Sequence, residues 1–229
     1  MATPILRKKT NLKPAAELNV RKGSMYIPKH FEESNIDVLY EFIRCNPFAI
    51  LVTNTASGLN ADHIPVYLNT KNMERVCVQG HIATSNPLWK NILDAQESLL
   101  IFQGGNAYIT PSWFPSKETN GRVVPTWNYS AVHVKGNIAF IHEPSWKIEL
   151  LSNLTAQQEE KLEKPWLVSD APTEFIEKLL PAIVGFEIVV KEVFGKFKHS
   201  QNQPKENRVG IAAGLEKQGH EMSKQILTV

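Results

Sequence analysis

A chain of 229 residues, 42% of them hydrophobic, is long enough to bury one large core. No uninterrupted apolar run approaches the roughly 20 residues of a membrane-spanning helix, so a helical membrane protein is excluded and no membrane partner is expected. The net charge of +2 divides into +5 for residues 1–24 and −3 for the remainder, which argues against a broad basic face that grips phosphate backbones.

The leader sets Arg7, Lys8, Lys9, Lys13, Arg21 and Lys22 against Glu17. It lacks an apolar h-region and is no secretory signal. A basic arm, an organelle-targeting segment and an expression leader ahead of a second start at Met25 all remain open. The expected organisation is a basic N-terminal extension, 1–24, followed by one domain, 25–229, with a helical C-terminal part. Cys45 and Cys77 are too few for a disulfide framework and have no zinc-ligand spacing. Both are expected as small buried residues in a reducing, cytoplasmic compartment.

In chain order, SNIDVLYEFIRCNP places Ile36, Leu39, Tyr40 and Ile43 at helical spacing, with Ser34 as N-cap and Pro47 as a stop. Short strand-like runs follow at 48–54, 62–68, 75–81, 98–104 and 107–110, then at 126–134, 137–142 and 183–195. Turn signals separate them, among them SGLN, NTKN, GGN and KG. Many short strands with small connections predict an antiparallel barrel or sandwich. Helices are expected from Asn86-Pro87, over 143–163, over 171–181 and in the tail from Glu206.

Three segments could carry chemistry. In VQGHIATSNPLW a strand runs through His81 into a loop with Thr84 and Ser85 that meets a helix start at Asn86. Such a loop either caps the helix or receives an anion such as a phosphate. The segment 104–129 gathers Tyr108, Trp113, Phe114, Trp127 and Tyr129 with Lys117 and Arg122. Its aromatics fold onto their own core, a second subunit or a planar ligand. GKFKHSQNQP brings Lys196, Lys198, His199 and the run Ser200, Gln201, Asn202 into one turn. There is no G-x-S-x-G elbow, H-E-x-x-H, Walker loop or G-x-G-x-x-G, no metal site is expected, and His63 and His81 are expected as satisfied structural histidines.

Taken together, MYIPKHF (25–31), NADHIPV (60–66), GHIATSNPLW (80–89), FQGGNAYITPSWFPSK (102–117), VPTWNYSAVHVKG (124–136), VSDAP (168–172), IVGFEI (183–188) and GKFKHSQN (195–202) resemble the PaiB-like family of FMN-binding negative transcriptional regulators. The resemblance runs from Met25 almost to the C-terminus, with the motifs in order. It implies a mainly β protein with peripheral helices (α+β), an antiparallel split β-barrel of the flavin-reductase kind. It also implies a homodimer with FMN bound where the subunits meet. Closure would remove exposed sheet edges, in keeping with the strand pattern.

Carried onto this sequence, the resemblance gives His81, Thr84, Ser85 and Asn86 to the phosphate end of FMN and Trp127 and Asn128 to the isoalloxazine end. Lys196 and Gln201 complete the site. Thr84 stands where the family usually has arginine, Gly105 where proline is usual and His199 where an apolar residue is usual. A hydroxyl can hydrogen-bond a phosphate but cannot neutralise or grip it bidentately, which leaves Lys117, Lys196 or Lys198 to compensate.

Three functions follow: a flavin-binding dimer acting in regulation, an FMN-dependent oxidoreductase using reduced nicotinamide or a small substrate, and a repressor that touches DNA. The last has no basic helix-turn-helix to support it. A haem-binding variant of the barrel has no diagnostic histidine. Within TWNYSAVHV, Val132 and Val134 are expected to face the barrel interior and Asn128 and Ser130 a rim beside a ligand or a partner subunit.

Overall fold

The computed structural model describes residues 25–92 and 97–228, so the basic extension 1–24 lies outside the described residues. Seven antiparallel strands are described: β1 (Glu32–Glu33), β2 (Phe48–Thr55), β3 (Gly58–Asn69), β4 (Cys77–Ala83), β5 (Glu97–Ile109), β6 (Thr126–Ile141) and β7 (Ile183–Lys198). They run in the order β1-β7-β4-β3-β2-β5-β6, and β6 pairs back onto β7 from Tyr129↔Lys198 to Ile141↔Gly185. That last ladder closes six strands into a barrel, with β1 added at the far end of β7. Of the barrel and the sandwich that the strand pattern allows, the barrel is present.

Strand alternation sends Ala49, Leu51, Ile64, Val66, Leu68, Val78, Leu100, Phe102, Val132, Val134, Val184, Phe186 and Ile188 into one core. Each large apolar side chain so buried contributes about 1.5–3 kcal/mol relative to exposure. Helix α1 (Ile36–Cys45) plugs one end with Leu39, Tyr40 and Ile43, and the Phe42 ring meets that of Phe197 at 5.1 Å. Its cap is Asn35 rather than Ser34, because the Asn35 side chain accepts the Asp37 amide at 3.0 Å. At the opposite end α2 (Leu88–Asn91) buries Leu88. The helix expected here is a single turn, since Ile92 is already extended and bridges Thr55.

Two expected turns are not turns. The runs 98–104 and 107–110 form the single strand β5, which absorbs Gly104-Gly105 as an irregularity between Gln103 and Asn106. Likewise 126–134 and 137–142 form the single strand β6 across KG. Gly136 is needed there for close approach: a Cβ would lie 2.0 Å from the Val189 carbonyl oxygen, at a shift of register with β7.

Beyond the β5 irregularity, Ala107 and Ile109 leave the barrel core and pack with Phe114, Ile211, Leu215, Met222 and Ile226. This second core holds the C-terminal helices, formed by α6 (Lys205–Lys217) and α7 (Ser223–Leu227), which are separated at Gly219 with φ +69°. Between β6 and β7 lie α4 (Pro144–Glu159), one helix where 143–163 was expected, and α5 (Thr173–Leu179). The buried Lys147 of α4 donates to the carbonyls of Leu180 (2.6 Å) and Ile183 (3.2 Å) and fixes the entry to β7. Helix α3 (Ser116–Asn120) follows the β5 extension. Cys77 is buried as expected, but Cys45 is exposed, because it lies on the outward face of α1.

Candidate functional site

At the α2 end of the barrel, the rims of β2 and β3 and the loop after β4 enclose a polar cleft of about 470 Å³ lined by Thr55, Ser57, Asn60, Asp62, Ser85 and Asn86, among others. Asn86 accepts the Leu88 amide on its side-chain oxygen (2.9 Å) and donates its amide to Asp62 Oδ1 (3.0 Å). Asn60 donates to the other Asp62 oxygen. The Thr84 hydroxyl donates to the Pro181 carbonyl at 2.8 Å, and the Thr84 amide to that of Ala182. Ser85 is exposed at the cleft, and among the described residues no lysine or arginine lines it. His81 sits on β4 opposite Gly185. Its Nδ1 is buried without a partner, and burial lowers its pKa, so it is not the satisfied structural histidine expected.

The other candidates gather at the α1 end. Trp127 is 54% exposed, stands edge-on to Tyr108 at 6.1 Å, and walls a second cleft with Asn106, Trp113 and His220. Lys196 donates to the Tyr26 carbonyl (2.8 Å) and lies 5.4 Å from the ring centres of both Tyr26 and Tyr129. Lys198 donates to Thr126 Oγ1, and Lys117 is exposed on α3. Gln201 closes the turn after β7, accepting the His199 amide (2.7 Å) and donating to the Phe197 carbonyl (2.6 Å).

Val132 and Val134 line the core as expected. Asn128, on the same side, is fully buried and lines neither cleft; its amide donates to Ser200 Oγ at 2.8 Å, while Oδ1 has no partner. Ser130 Oγ meets His199 Nε2 at 2.7 Å. The polar half of the strand thus anchors a turn in which Ser200 adopts φ 61°.

The nine candidates therefore divide between opposite ends of the barrel. Ala83, at the end of β4, pairs with Ile183, and Lys196 lies thirteen residues further along β7, roughly 40 Å of extended strand. Between the ends, one register row crosses the outside of five strands: His63, Ile50, Ile101, His133, Phe194. Beside it stand the pair Val52–Leu99 and the exposed Phe48 (65%) and Leu59 (83%). His133 Nδ1 is buried here without a partner, its pKa lowered by burial and by Lys135. Sequence reasoning missed this face and the Asn60–Asp62 side of the cleft. The signal was available in FAILV and SLLIF, which are apolar on both faces and so imply cover on both.

The donor chemistry fits FMN in two halves. The α2 end offers hydroxyls and amides but a carboxylate in place of a cation, whereas the α1 end offers lysines beside exposed rings, which suit an anion and a planar ring system.

A closed antiparallel barrel with helical plugs defines the class of split β-barrels. The chain belongs to the family described as "Putative FMN-binding domain", whose model matches residues 25–192. It is 32% identical over 202 residues to "Protease synthase and sporulation protein PAI 2" of Bacillus subtilis, covering 88% of this chain and 94% of that one. Among solved structures the fold matches the FAD and heme binding protein of Mycobacterium smegmatis (TM-score 0.57, 14% identity, 80% of each chain). It also matches the flavocytochrome Anf3 of Azotobacter vinelandii (TM-score 0.53, 14% identity, 76% of this chain and 72% of that one). Among the described residues no helix is long and apolar enough to cross a membrane.

Proposed function

We propose that the protein is an FMN-binding homodimer with a regulatory role, its flavin held between two copies of the chain. The division of the candidate residues between the two barrel ends carries this reading. A two-fold axis perpendicular to the barrel axis, acting through the outer row from His63 to Phe194, sets the α2 end of one copy beside the α1 end of the other. Each of two equivalent sites then combines Ser57, Ser85 and the Asn86 loop from one copy with Lys196, Lys198 and Trp127 from the other. The lysines supply the positive charge that Thr84 does not, and Ile50, Ile101 and the neighbouring Val52 and Leu99 exclude water from the ring system. When bound, the flavin supplies reversible redox chemistry; the chain binds and orients it.

Regulation accords with the relative named for protease synthase and sporulation. A body charge of −3 favours an indirect role over a grip on DNA. Free Cys45 and Cys77 accord with a reducing, cytoplasmic location. The test is a visible spectrum of the purified protein, release and identification of any flavin, and sedimentation with and without FMN. A yellow dimer holding one FMN per chain is expected. A colourless protein indifferent to added FMN, or a monomer that binds FMN, overturns it. Steady oxidation of reduced nicotinamide would replace regulation with an oxidoreductase role.

A further inference from the structure

A cleft of about 880 Å³ lies at the α1 end, between α1, the Gly104-Gly105 irregularity and the loop before α7. Its volume falls in the range of small-molecule sites. Phe42, Phe197 and Met222 give it an apolar floor, and Asp37, Glu41 and Glu221 stand around it. Helical spacing puts Asp37 and Glu41 on one stripe of α1. Among the described residues no lysine or arginine lines the cleft. The carboxylates of Asp37 and Glu221 have no hydrogen-bond or ion-pair partner among the described residues, while Glu41 is shared with Arg44 (3.6 Å) and the Cys45 thiol (3.4 Å). His220 is engaged on both ring nitrogens: Nδ1 accepts the Met222 amide (3.2 Å) and Nε2 meets the Asn106 carbonyl (3.0 Å).

We propose that this cleft binds an organic cation, an ammonium group carried on an aromatic or alkyl body. The floor suits the body and the carboxylates the head, while an anion would meet the unpaired carboxylates of Asp37 and Glu221. A bare metal ion is disfavoured, because no group of three ligating side chains among the described residues converges closely enough to hold one. None of this depends on flavin or on a second copy.

The test titrates the full-length protein with phenethylammonium by calorimetry, with phenethyl alcohol and phenylacetate as comparisons. Saturable binding of one ammonium ion per chain is expected, at least about tenfold tighter than the alcohol, with no binding of the acid. The exposed pair Asp37→Asn with Glu221→Gln should weaken the ammonium about tenfold and leave the alcohol unchanged. Gly105→Leu should abolish binding of both. A Cβ at Gly105 meets only the Met222 methyl at 3.7 Å, so the new side chain enters the cleft without displacing backbone. Should that variant not fold, the carboxylate pair, remote from the core, carries the test alone. Absence of saturable binding, equal affinity for ammonium and alcohol, or retained binding in a folded Gly105→Leu protein overturns the proposal, as does exclusive binding of basic peptides.

Discussion

The Asp62 carboxylate accepts the side-chain amides of both Asn86 (3.0 Å) and Asn60, so the donors that could face a phosphate in the polar cleft are turned onto a negative charge. Removing that charge should improve the fit to the phosphate of FMN and not to riboflavin. Asp62→Asn is expected to tighten FMN by about 1 kcal/mol, roughly fivefold, with riboflavin unchanged. Quenching of flavin fluorescence measures both, and equal gains for the two flavins would remove this cleft from the phosphate site.

Ile50 and Ile101 pair at the centre of the outer row. Ile50→Lys places a charge where two copies are proposed to meet, but leaves the inner core of Ala49 and Leu51 intact. Sedimentation should show a folded monomer with at least about tenfold weaker FMN binding, because unpaired charge at an interface core is strongly disfavoured. A dimer of undiminished flavin affinity would move the interface elsewhere.

Acid should loosen the fold in two stages. Burial lowers the pKa of His81, His133 and His199 below the ordinary 6.5, with Lys135 adding to the effect at His133. The unfolded chain therefore takes up these protons first. Stability is full above 6.5 and falls as pH drops from there toward the depressed folded values. Burial would raise Glu187, but hydrogen bonds from Arg75, Gln79 and Cys77 outweigh it and hold the carboxyl below 4.5. Its contribution is present above 4.5 and is lost as pH falls through its folded value. Thermal melts across pH should show both declines, and His199→Gln, which can keep a bond to Ser130, should flatten the first.

The two thiols should differ sharply. Burial, then the hydrogen bond and charge of Glu187, push the Cys77 thiol up to about 12, whereas Cys45 is exposed. An aromatic disulfide reagent should label one thiol per chain in the native protein and two in denaturant. Rapid native labelling of both would mean that the β4–β7 seam opens.

How much of this was legible in the sequence varied with the range of the interaction. Helix α1 was readable because its stripe and its Pro47 stop are local, yet its cap moved one residue because Asn35 and Ser34 are both good caps. The glycine signals at 104–105 and 136 read as turns, but glycine is also called for by close approach, to the Phe42 ring of α1 at Gly104 and to the Val189 carbonyl of β7 at Gly136. Asn128 and Ser130 stood out correctly as polar residues on a core face, but their partners, Ser200 and His199, lie about seventy residues away.

By itself the sequence determined the class: alternating apolar strands that predict an antiparallel barrel or sandwich, and ordered motifs that resemble one family of split barrels. Only the tertiary structure decided where the candidate residues lie relative to one another. Periodicity specifies which face of a strand is apolar, but not which strands become neighbours. Strand pairing put Ser85 and Lys196 at opposite ends of the barrel and joined the outer row between them, while the packing of α1 and of the loop before α7 gathered Asp37, Glu41 and Glu221 around one cleft.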